Sequence, residues 1–169
     1  MTCLEIKMGD SVEVTVAYST TSDGYALSFL RAEQTDSKVL PYLFSQCEPS
    51  YCRSIAPLQD TPSIKATYTA EITVPKDFVV GMSALNYENA TVGDTKIYYF
   101  KQEITIPSYL LSIVIGNLDR RLIGYTEKSN IPTYVVTEPT LMDKAAEELV
   151  DLPVFLQKSE DYLSTYIWP

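Results

Sequence analysis

Histidine is absent from all 169 residues, and that absence excludes more chemistry than any motif present in the chain. It removes the commonest general base, the Ser/His and Cys/His nucleophile pairs, and the HExxH zinc site, whose two histidines lie one helical turn apart. Glycine is scarce at six residues, and no GxGxxG, P-loop or GxSxG sequence occurs. Phosphate-cradling loops and a nucleophile elbow are therefore excluded as well.

Basic residues are also few, 13 Lys and Arg against 22 Asp and Glu, for a formal charge of −9. No Lys/Arg-rich stretch could track a phosphate backbone, so nucleic acid is not an expected partner. Long apolar runs are missing too. The longest, residues 109–115, is interrupted by Ser112 and is far too short to cross a bilayer. Residues 1–10 carry Glu5, Lys7 and Asp10 and lack the apolar centre of a signal peptide. Together these features predict a soluble, cytoplasmic chain with no membrane span.

Cysteine is limited to Cys3, Cys47 and Cys52. An odd count does not suggest a secreted disulfide scaffold, and reduced thiols are the expectation. A zinc site built from Cys47 and Cys52 would need two further ligands, with no histidine and only one other cysteine to supply them.

What the chain does contain is an ordinary globular mixture, 46% hydrophobic and 21% charged. A single domain of this length buries roughly two-thirds of its unfolded surface and needs no staples. Period-two patterning dominates. Residues 11–19 alternate Val12, Val14, Val16 and Tyr18 with Glu13, Thr15 and Ala17, which predicts a half-buried strand. Ser22, Asp23 and Gly24 mark a turn, and residues 25–30 complete an expected hairpin.

Residues 31–62 hold Pro41, Pro49, Pro57 and Pro62 but also Tyr42, Leu43, Phe44, Tyr51 and Ile55. Such a stretch reads as an ordered loop with short strands packed on the sheet. The strongest strand signal is residues 63–74, where Ile64, Ala66, Tyr68, Ala70, Ile72 and Val74 alternate with polar neighbours. Further strands are predicted at 79–85, 96–106, 109–115, 118–123 and 133–137, with 86–94 as punctuation.

The period then changes. Thr140 is a candidate cap for a helix through Leu141 to Val150, and a second helix is expected over 154–166, with Pro153 at a kink or in its first turn. The pairs Glu147/Glu148 and Glu160/Asp161 do not converge on one point and read as solvated faces. The thirteen tyrosines suit a β-rich core and its rim.

The segment PYLFSQCEPSYCRSIAPLQDTP at residues 41–62 resembles the amino-terminal domain of the gluzincin metallopeptidases, in their leukotriene A-4 hydrolase and aminopeptidase branch. YTAEITVPKDFVVGMSA (68–84), FKQEITIPSYLLSIVIGNL (100–118) and SEDYLSTYIWP (159–169) follow in the order of that family. The resemblance implies a mainly β fold, a twisted, saddle-like sheet domain truncated at its start, over residues 1–137. A short helical segment, 138–169, would lead to a catalytic domain absent from this chain.

In that family the residue two after the glutamine of the SQC turn helps bind the substrate's free α-amine. By this resemblance the substrate-binding residues are Glu48 and, lining the same pocket, Gln46. Epoxide-hydrolysing members carry glutamine where this chain has Glu48, and Pro49 replaces a small residue, stiffening the turn.

The zinc and the general base would lie in the absent domain, so the chain alone has no expected catalytic residue, metal or cofactor. The missing early strands imply a protein partner, or further domains, covering sheet edges. Two functions stay open at this point: substrate recognition on behalf of a zinc aminopeptidase, or a repurposed structural subunit of a larger assembly.

Overall fold

In the computed structural model, which describes residues 7–168, the longest strand pair follows directly from the alternation at residues 65–75. Strand β3 (Lys65–Pro75) turns Ala70, Ile72 and Val74 to one side. Strand β6 (Thr95–Pro107) runs antiparallel to it and sets Phe100 opposite Ala70 and Tyr98 opposite Ile72. Strand β5 (Leu85–Val92) pairs with the other edge of β6, giving a three-stranded sheet in the order β3-β6-β5.

A four-stranded sheet, β1-β2-β7-β4, is made of Leu27–Leu30 (β1), Tyr42–Ser45 (β2), Ile113–Gly116 (β7) and Val79–Met82 (β4). Its neighbours are all antiparallel. The main core lies between the two sheets: buried Val74, Tyr98 and Phe100 from one meet Val80 from the other, with Ile113 and Ile115 packed beside them. Tyr98 and Phe100 stack with ring centroids 6.3 Å apart, and the Tyr98 hydroxyl donates to the Phe78 carbonyl at 2.9 Å. The Tyr98 hydroxyl, carried into this layer, is thereby satisfied.

Strands β8 (Asp119–Tyr125) and β9 (Pro132–Thr137) form a separate hairpin. Helices α1 (Met142–Glu148) and α2 (Leu152–Tyr162) follow. Pro153 sits in the first turn of α2, where its missing N–H costs nothing. Gln157 of α2 is buried, and its side-chain oxygen accepts from the Lys128 amide at 2.8 Å, holding the helix to the hairpin connection. The architecture is mainly β, with open sheets and two short helices.

Four expectations are corrected. Residues 11–19 form no strand. Val12, Val14, Val16 and Tyr18 are 54%, 76%, 50% and 56% exposed, and the expected hairpin partner, β1, pairs with β2 instead. Alternation records the capacity to pair, but a strand also needs a neighbour, and none of the described strands lies beside this segment.

Residues 86–94, read as punctuation, are mostly strand β5. Its Asn-rich start is a bulge between Asn86 and Glu88, where the Asn86 side chain donates to the Glu88 and Tyr99 carbonyls at 3.1 Å each. Thr140 caps nothing: it lies inside a 3-10 turn, Pro139–Leu141, and α1 starts after it. Finally, Cys47 and Cys52 are not free thiols but a disulfide with Cα atoms 4.6 Å apart, because the turn between them folds both side chains into one buried cluster. Cys3 and Pro169 lie outside the described residues.

Candidate functional site

Strand β2 is central in its sheet, hydrogen-bonded to β1 on one side and β7 on the other, so the residues following it leave from a fixed point. The Gln46 amide donates to the Ala26 carbonyl at 2.8 Å, extending the β1–β2 pairing by one step. Cys47 then turns inward, 3% exposed, against Ala26 and Cys52, both at 0%. Ile55, Leu58 and Leu111 pack around this small second core.

Glu48 and Pro49 point the other way and are exposed, joined by a cis peptide bond. The chain returns through Tyr51, whose amide donates to the Cys47 carbonyl at 2.7 Å. A buried floor with an exposed crest is the result. Gln46 and Glu48, the two residues expected to recognise substrate, both lie exposed on that crest.

Several groups hold the crest in place. The Ser54 hydroxyl accepts from the Ala26 amide at 3.0 Å and donates to the Tyr51 carbonyl at 2.8 Å, and the Tyr25 and Tyr51 rings stack at 5.9 Å. Behind them Asp60, with a side chain only 2% exposed, accepts from the Arg53 amide at 3.0 Å, the Arg53 Nε at 3.1 Å and the Ser108 hydroxyl at 2.6 Å. Arg53 also donates through Nη2 to the Asp60 carbonyl at 2.9 Å. Within residues 41–62, neither Cys52-Arg53 nor Gln59-Asp60-Thr61-Pro62 carries a local signal that points to the other. The structure ties them together as one brace under the turn.

Burial opposes ionisation of Asp60, but the bonds from Ser108 and Arg53 and the Arg53 charge outweigh it and hold the carboxyl below its ordinary range. A depressed folded value means stability that is present above the unfolded value, about 3.9, and is lost as pH falls through the folded one. Asp60→Asn should therefore cost about 1–2 kcal/mol at neutral pH. The gap to the unsubstituted chain should begin to narrow as pH falls below about 4 and close only below the folded value. Urea unfolding at pH 7 and pH 3 checks both; an equal gap at the two values would remove the carboxylate from the account.

The donor set does not fit a zinc site. No group of three His, Cys, Asp or Glu side chains converges among the described residues, the whole sequence has no histidine, and Cys47 and Cys52 are bonded to each other. No reaction step can be routed through a metal held by these residues.

Residues 2–110 match the Peptidase M1 N-terminal domain family. Leukotriene A-4 hydrolase of Xenopus laevis is 39% identical over 163 residues, covering 95% of this chain but 26% of that protein. Leucine aminopeptidase 2 of Yarrowia lipolytica is 37% identical over 161 residues, with 95% and 23% covered. Among solved structures, native leukotriene A4 hydrolase from Saccharomyces cerevisiae superposes with a TM-score of 0.73 at 35% identity, covering 88% of this chain and 22% of that one. An M1 zinc metallopeptidase from Deinococcus radiodurans shares the fold with a TM-score of 0.66 at 24% identity, over 74% of this chain and 30% of that one. The chain thus spans about a quarter of the length of the curated relatives it matches, and over that span it belongs to the M1 peptidase N-terminal domain family.

Proposed function

We propose that this domain serves a zinc metallo-aminopeptidase by recognising the free amino end of a peptide, with hydrolysis carried out by a catalytic domain outside this chain. The observation that supports the reading is the placement of Glu48: an exposed carboxylate on a turn whose floor is fully buried. An α-ammonium carries three N–H donors, and a carboxylate accepts them with charge assistance, roughly twice as strongly as a neutral acceptor. The Gln46 side-chain oxygen offers a second acceptor on the same crest. The covalent and hydrogen-bonded bracing of the turn keeps Glu48 oriented before substrate arrives, which lowers the ordering cost of binding. In this reading residues 138–169 lead toward the catalytic domain, and the protein works in the cytoplasm.

A second reading, a structural subunit with no peptidase role, is favoured by the exposed alternating stripe Val12, Val14, Val16 and Tyr18, which suits burial against another polypeptide. The companion that purifies with the chain separates the two. A polypeptide with an HExxH segment supports the first, and one without it supports the second.

Amine recognition can be tested on the chain itself. Titration with leucine amide, followed by backbone NMR, should shift the Glu48 and Gln46 amides, with a dissociation constant of roughly 0.1 M or weaker because an exposed ion pair contributes under about 1 kcal/mol. N-acetyl-leucine amide, which lacks the ammonium, should shift neither, and Glu48→Gln should abolish the response. Equal shifts from both ligands would count against the reading.

A further inference from the structure

We propose that the Cys47–Cys52 disulfide is a redox switch for the turn that presents Glu48, an inference that rests on the amine-recognition reading above. The two cysteines are separated by five positions, and the segment they enclose begins with Glu48. Glu48, Pro49 and Tyr51 within it are exposed, so packing does little to confine these residues. Their order comes from the covalent closure, the Tyr51 amide bond to the Cys47 carbonyl, the Ser54 amide and hydroxyl bonds to the Tyr51 carbonyl, and the Tyr25–Tyr51 stack, and of these only the closure can be opened by a reductant.

A ring this short removes little entropy from the unfolded chain compared with a long one. The bond therefore acts mainly on the shape of the turn. The large core of Val74, Val80, Tyr98 and Phe100 is a separate cluster that does not depend on it. Breaking the bond should free the crest and leave the sheets standing. That is the behaviour of a switch rather than of a global staple.

The chemistry balances with a small dithiol as reductant. Its thiolate attacks one cysteine sulfur, the S–S bond breaks, and its second thiol releases the mixed disulfide. Two electrons and two protons pass to Cys47 and Cys52, leaving two S–H groups and a cyclic disulfide. Both sulfurs belong to buried residues, so attack requires the turn to open first, and reduction should be slow beside that of an exposed disulfide.

The test uses the full chain purified without reductant. Iodoacetamide under denaturing conditions should label one cysteine before dithiothreitol and three after it, read by mass. In the reduced chain, Tyr51 amide exchange should quicken at least tenfold while Tyr98 exchange changes by less than twofold. The leucine amide shift at Glu48 should fall at least threefold. Three labelled cysteines before reduction, or equal Tyr51 exchange in the two states, would overturn the switch. An equal leucine amide response in both states overturns the switch alone, whereas no response in the oxidised chain overturns amine recognition and the switch with it.

Discussion

Phe100→Ala should lower the unfolding free energy by about 3–5 kcal/mol, the largest loss expected from any single truncation in the chain. The ring is 2% exposed and lies at the centre of the layer between the two sheets, touching the cluster formed by Val74, Val80 and Tyr98. Removing it forfeits the transfer energy of the ring and leaves a cavity that two hydrogen-bonded sheets cannot collapse to fill. The stacked neighbour Tyr98 is held by its bond to the Phe78 carbonyl, so it is not free to swing into the space. For a domain of this size the loss corresponds to roughly 10 °C or more in melting temperature. Thr69→Ala, on the exposed face of β3, should cost under about 0.5 kcal/mol. Urea unfolding of the two variants measures the contrast, and a Phe100→Ala loss below about 1 kcal/mol would mean that the sheets do not pack as described.

The same layer explains what was legible in the sequence. Strand β3 was readable because one of its faces is buried and the other solvated, so its alternation is clean. Strand β5 was not, because an edge strand with both faces mostly exposed has no apolar rhythm to betray it, and its asparagines serve a bulge rather than a loop. Residues 11–19 erred in the opposite direction. Their rhythm is real, but pairing is a property of two segments, and a pattern in one says nothing about whether the other is alongside.

The candidate site was legible only through resemblance. Glu48 and Gln46 carry no periodic signal, and a glutamate before a proline is unremarkable by itself. The floor beneath them was hidden for a different reason: spacing alone could not tell whether Cys47 and Cys52 fold toward each other or apart. The Arg53–Asp60–Ser108 brace includes a direct bond between Asp60 and Ser108, 48 positions apart, a distance over which no local pattern reaches.

Gly116→Ala is expected to cost about 1–3 kcal/mol, although a glycine-to-alanine change in a strand is ordinarily favourable by several tenths of that. The sign reverses because of what faces the position. Continuing the β2–β7 register, in which Leu43 lies opposite Ile115, brings Tyr42 beside Gly116. A Cβ there would stand 2.5 Å from the Tyr42 Cδ2 atom and 3.3 Å from Cε2, well inside contact distance. The Tyr42 ring cannot easily retreat, since it begins β2 and packs beside Phe44 with ring centroids 5.8 Å apart. Either β7 shifts away from β2 or the ring leaves its rotamer, and both loosen the strand that delivers Gln46 and Glu48. If overpacking is the cause, the loss belongs to the pair and not to the glycine. Tyr42→Leu combined with Gly116→Ala should then be less damaging than the sum of the two single changes, by about 1 kcal/mol or more in a double-mutant cycle. Strict additivity would show instead that the backbone at Gly116, rather than the ring across from it, resists a side chain.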